Sequence, residues 1–133
     1  MEGQRAEAMV RRLLAQKHSH LWQYAVVPAG EYKFSDLVLN LGIEIKFDRL
    51  AAKTGNVAIE IGYKHGPSGL TSTTANFWVF DLDGDIWLTP TQDLRYLCQG
   101  RPIIPGGDGL LAELILLPVK ELIQYSEYIG QTE

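Results

Sequence analysis

The chain has 133 residues, 46% of them hydrophobic and 21% charged, with a formal net charge of −4. That size and balance predict one folded domain over residues 1–133 and exclude wholesale disorder. No apolar run approaches the ~18 residues of a membrane span, and the charged N-terminus (Glu2, Arg5, Glu7, Arg11, Arg12) has no apolar signal core, so a cytoplasmic protein away from membranes is expected.

Glu2 to Lys17 reads as a helix of about 24 Å, because Ala6, Met9, Val10, Leu13 and Leu14 repeat at the spacing of one buried stripe. Val26 and Val27 suit a short strand before Pro28-Ala29-Gly30 breaks the pattern. Asp36–Leu39 and Ile43–Phe47 read as a hairpin across Asn40-Leu41-Gly42. In the second of these strands Ile43, Ile45 and Phe47 share one face, and Glu44 and Lys46 share the other.

Val57–Tyr63 is the next strand, entered through Gly55-Asn56, and His65–Gly69 is read as a loop. Asn76–Leu82 and Asp85–Leu88 form a hairpin over Asp83-Gly84. Thr89, Pro90 and Gln92 read as a capping box opening a helix that Gly100 stops. Leu110–Leu117 is a late strand, and Pro118 opens a last helix ending near Ile129. The order is that of an α/β layer fold.

Charge is uneven along the chain. Residues 1–65 carry nine Lys/Arg against seven Asp/Glu and all three histidines, whereas residues 66–133 carry three against nine. Such asymmetry hints at a polyanion-facing half. Cys98 is the only cysteine, which excludes an internal disulfide and a thiolate zinc cage.

The stretch with chemical content runs from Asp36 to Lys46. An acid opens one strand, and an acid and a lysine stand two apart on the next, projecting together. Two carboxylates converging beside a lysine call for a cation, and Mg²⁺, which takes oxygen ligands and keeps several waters, suits them. Asp36 and Glu44 would hold the metal with the backbone carbonyl of Ile45, and Lys46 would stabilise developing charge or orient water. The bland alternative is a surface ion pair worth under ~1 kcal/mol.

These residues resemble the PD-(D/E)XK nuclease superfamily, with Asp36 as its first strand acid and Glu44-Ile-Lys46 as its acid-x-lysine element. Ser35 stands where the motif's proline would be. Asp48, Thr54-Gly-Asn-Val-Ala-Ile-Glu60, Gly66-Pro-Ser-Gly-Leu70, Thr73-Thr-Ala-Asn-Phe-Trp78 and Gly106-Gly-Asp108 extend the likeness to small phage- and mobile-element-type members, over roughly residues 5 to 122. The resemblance implies a restriction-endonuclease-like fold: a central, mixed, mostly antiparallel sheet flanked by helices. It also implies a Mg²⁺-dependent DNA endonuclease in which Mn²⁺ substitutes; branched or junction DNA is a plausible target, a nick or simple duplex is equally compatible, and a homodimer is expected because it would let two sites address two strands. A helix acid, Glu7 in preference to Glu2, and Glu60 would complete the site. The alternative is a catalytically silent nuclease-fold module that binds DNA or a protein.

Arg49, Lys53, Lys64 and His65 are candidate phosphate contacts, against simple solvation. Asp48 is read as capping the next turn. A Ser68–His65 nucleophile pair has no visible orienting acid, and His18 and His20 have no third metal ligand at a useful spacing. Asp81, Asp83 and Asp85 are read as a hairpin tip rather than a calcium loop, Trp78 and Trp87 as core in preference to base-stacking platforms, and Cys98 as a small buried residue.

Overall fold

The computed structural model describes residues 42–131 together with the strand backbone at 33–34 and 37–38. The predicted N-terminal helix with Glu2 and Glu7, the Val26-Val27 strand and Asp36 lie outside the described residues.

Strands β1 (Lys33–Phe34) and β2 (Leu37–Val38) pair antiparallel. Then follow β3 (Ile43–Phe47), the one-turn helix α1 (Ala51–Thr54), β4 (Asn56–Tyr63) and β5 (Gly66–Pro67). The hairpin β6 (Phe77–Leu82) and β7 (Asp85–Pro90) leads into α2 (Thr91–Cys98). The chain continues through β8 (Ile104–Gly106), β9 (Ala112–Pro118), α3 (Val119–Gln124) and β10 (Glu127–Gln131).

The class is α/β, but among the described residues the strands beyond the β1-β2 pair form two four-stranded sheets rather than the single central sheet expected from the sequence. One is mixed, in the order β10-β7-β6-β3; the other is antiparallel, in the order β5-β4-β9-β8. Both feed one core: Val57, Ile59, Ile115 and Leu117 from the antiparallel sheet meet Trp78, Phe80 and Leu82 from the mixed one, closed by Leu94, Leu97 and Leu122 of the helices. A second cluster, Val79, Ile86, Leu88 and Ile129, lies on the other face of the mixed sheet, with Ile43, Ile45 and Phe77 packed against it. Strand β6 is therefore buried on both faces, which accounts for its nearly unbroken apolar run. Both edges of the antiparallel sheet carry a proline, Pro67 on β5 and Pro105 on β8, which removes a donor from each edge.

The predicted β2–β3 hairpin is corrected by the pairing. Strand β2 pairs with β1, while β3 runs parallel to β6 with Ile43 opposite Phe77 and Ile45 opposite Val79. Stacking the apolar side of β3 on the second cluster decides the partner, and a parallel neighbour needs the long crossover supplied by α1, β4 and β5.

The predicted hairpin over Asp83-Gly84 is present, both residues having positive φ. A second two-residue turn, Lys64-His65, joins β4 to β5 inside the segment read as a loop, and it holds two non-glycine residues at positive φ (50° and 65°). Thr89 is not the helix cap. It lies within β7, fully buried, its hydroxyl 2.6 Å from Ser126 Oγ, and Pro90 takes the cap position. The last helix stops at Gln124 rather than near Ile129. Ser126 Oγ donates to the Leu122 carbonyl at 2.6 Å, and the chain turns into β10 so that Ile129 fills the second cluster.

Candidate active site on strand β3

Strand β3 is fastened to β6 at both ends. The Gly42 carbonyl accepts from Asn76 N at 2.8 Å while Gly42 N donates to Asn76 Oδ1 at 3.1 Å. At the other end Asp48 N donates to the Asp81 carbonyl at 3.1 Å. Between these clamps the pleat sends Ile43 and Ile45 to the second cluster and Glu44 and Lys46 to the opposite side.

The register sets Glu44 beside Trp78 and Lys46 beside Phe80. Both aromatics are core residues, 1% exposed, whereas the Glu44 and Lys46 side chains are 44% and 43% exposed. The pair thus stands at the margin of the main core, stems against apolar surface and charged heads in water. Lys46 Nζ lies 3.3 Å from Glu44 Oε1 and 5.4 Å from the Trp78 ring centroid. The expected convergence of Glu44 and Lys46 is therefore a direct ion pair along one strand. Ile45 turns its side chain away, and its carbonyl is the backbone group between the two.

Asp48 behaves as the sequence suggested. Its Oδ1 accepts from Leu50 N at 3.0 Å and Ala51 N at 3.1 Å, capping the turn into α1. Its Oδ2 accepts from Ala58 N at 3.4 Å, so one carboxylate ties the end of β3 to the other sheet.

Glu60 belongs to β4, in the antiparallel sheet, and Ser68 Oγ donates to its Oε2 at 2.9 Å. That bond engages one oxygen of the Glu60 carboxylate. It also gives Ser68 an acceptor and leaves it no nucleophilic pairing with His65. Gly69 follows in a left-handed conformation, φ 52°, where a Cβ would collide with the Glu60 carbonyl, so the Ser68-Gly69 corner holds this part of β4 closely.

The four candidate phosphate contacts fall into two groups. Arg49, 5.3 Å from the Phe47 ring, and Lys53 on α1 lie just before β4. Lys64, 5.5 Å from the Tyr63 ring, and His65 lie just after it. A strand of this length spans about 25 Å, so the two groups sit at opposite ends and do not merge into one patch.

Among the described residues no cluster of three His, Cys, Asp or Glu could hold a metal ion. That includes the acidic hairpin: Asp81 Oδ1 accepts from Gly84 N at 2.9 Å, and Asp85 Oδ1 accepts from Tyr128 Oη at 3.1 Å and Gln131 Nε2 at 3.2 Å. Cys98 is buried, and burial pushes its thiol up to about 11. Among the described residues no helix is long and apolar enough to cross a membrane.

Sequence reasoning placed Trp78 in the core but missed its contact with Lys46. Alternation within Phe77–Leu82 marks which face Trp78 takes, but the partner strand is not encoded locally. Comparison with protein-family models, with curated proteins and with solved structures gave no match for this chain.

Proposed function

We propose that the chain is a metal-dependent endonuclease that hydrolyses DNA phosphodiester bonds, with Glu44-Ile-Lys46 as an acid-x-lysine element of the PD-(D/E)XK kind at its centre. The observation that carries this reading is the half-exposed acid and lysine, 3.3 Å apart on one strand face, in a segment whose sequence resembles that superfamily.

The donor chemistry fits Mg²⁺. Glu44 offers hard oxygens at a position open to water, and such an ion is held by one or two carboxylates while keeping several waters. Glu44, the carbonyl of Ile45 and Asp36 would hold it, with Glu7 or Glu60 completing the set; Mn²⁺ would substitute. When bound, the ion supplies Lewis-acid polarisation of a phosphoryl oxygen and a more acidic water.

Lys46 brings a positive charge to the same spot. Its ammonium can donate to a non-bridging phosphate oxygen as negative charge builds there, or hold the attacking water in line. Its stem packs at the core margin, so the charge is presented from a fixed base. The Asp48 clamp keeps the end of β3 in register with both sheets. Arg49 and Lys53 at one end of β4, and Lys64 and His65 at the other, would track separate parts of a DNA backbone. A second copy of the chain would allow two sites to address two strands, which suits branched or junction DNA.

One observation favours a second reading, a silent nuclease-fold module that binds DNA or a protein without cutting. The described residues alone do not assemble three acidic ligands. Calorimetric titration with Mn²⁺ and Mg²⁺ separates the two. The nuclease reading expects saturable binding that Glu44→Ala weakens at least tenfold; DNA binding unchanged in chelator, without cleavage, supports the module.

A further inference from the structure

We propose that Trp78 is a positioning residue for Lys46: the buried indole face stations the lysine's ammonium in the site, an inference that rests on the nuclease reading for its catalytic consequence. The register makes Phe80, not Trp78, the cross-strand neighbour of Lys46. The ammonium nevertheless reaches back along the strand, to 5.4 Å from the indole centroid beside Glu44. Of the two rings, which stand 6.2 Å apart, it has taken the one with the stronger attraction for cations.

Packing alone does not account for an indole here. Trp78 is 1% exposed, and its Nε1 is buried with no hydrogen-bond partner among the described residues. Buried indole N–H groups ordinarily find an acceptor, and an unsatisfied one is destabilising. Phenylalanine or leucine would occupy an apolar core without stranding a donor. What the indole adds is a large, rigid, electron-rich face next to a long, half-exposed lysine that would otherwise sample many rotamers.

The ring also supplies something Glu44 cannot. In the proposed reaction Glu44 oxygens are engaged by a cation, which competes with the ammonium for the carboxylate. The indole face is uncharged and carries no such second duty. It keeps Lys46 over the site while Glu44 is occupied.

The test uses the full chain and ¹H–¹⁵N spectra. The indole cross-peaks come from Trp22, Trp78 and Trp87, and the one missing from Trp78→Phe is that of Trp78. Lys46→Met is expected to move that peak and leave the other two in place. The Lys46 ε-methylene protons are expected upfield in the wild type from the ring current, still upfield in Trp78→Phe, and at ordinary values in Trp78→Leu. On cleaved DNA, Trp78→Leu should lower kcat roughly fivefold with KM unchanged, and Trp78→Phe should restore most of it. Ordinary ε-methylene shifts in the wild type, or equal kcat for Trp78→Leu and Trp78→Phe, overturn the proposal. If Trp78→Leu does not fold, the wild-type shift and the response of the Trp78 peak to Lys46→Met decide. A wild type that cuts no DNA removes the nuclease reading, and the same two resonances then decide alone whether the ring stations the ammonium.

Discussion

The ammonium of Lys46 sits 3.3 Å from the carboxylate of Glu44, two residues back along one strand, and both charged heads reach water. An ion pair in that setting contributes under about 1 kcal/mol to folding. Lys46→Ala should therefore leave the melting temperature nearly unchanged. In cleavage assays it should lose about a hundredfold or more in rate, the size of effect seen when a donor to developing charge is removed. A variant that melts normally and cuts at the wild-type rate would show that the pair is only a surface ion pair.

Asp48 holds three backbone N–H groups, those of Leu50, Ala51 and Ala58, and so joins β3, α1 and the antiparallel sheet. Asp48→Ala leaves them without this acceptor and should destabilise the chain by about 1–2 kcal/mol. Asp48→Asn keeps one acceptor oxygen and should recover part of that. Urea denaturation of the three proteins gives the comparison, and equal midpoints would contradict the clamp.

Much of this arrangement follows from short-range patterning, and its limits are instructive. The period-two alternation of Ile43–Phe47 places Glu44 and Lys46 on one face, and the Asp83-Gly84 turn announces its hairpin. Neither pattern names a distant partner. That β3 lies parallel to β6, that Trp78 therefore meets Lys46, and that Glu60 bonds Ser68 all depend on contacts between separate segments. Local signals also misled where tertiary contacts overrode them. Thr89 has the chemistry of a cap, yet its hydroxyl is engaged by Ser126, and the helix opened by Pro118 gives way to β10 because Ile129 is buried in the second cluster.

Asp81 gives a pH signature. Burial raises its pKa above the ordinary 3.8; the Gly84 N–H bond opposes this, and the charges of Asp83 and Asp85 add to the rise. The folded chain thus holds this proton more tightly than the unfolded chain. The site's contribution to stability is complete below the unfolded pKa and is lost as pH rises through the folded value. Asp81→Asn, which retains an acceptor for Gly84 N, should melt higher than wild type at pH 7 and lose that advantage near pH 3. A gain of the same size at both pH values would contradict the assignment.

Cys98 is buried near the end of α2, and its thiol is pushed up to about 11 by burial, with Arg101 pulling the other way. Because the thiolate is the reactive form, the native chain should stay silent to Ellman's reagent at pH 8 and react fully in denaturant. Rapid reaction of the native chain would mean that the core around Leu94 and Leu97 opens readily.

The most direct measurement of the central claim is cleavage of a panel of duplex, nicked, flapped and four-way-junction DNAs with Mg²⁺, Mn²⁺ or chelator, using wild type beside Glu44→Ala. The account predicts cutting of at least one substrate by the wild type with either metal, none in chelator, and none by the variant. Intact DNA throughout, or equal cutting by Glu44→Ala, would contradict it.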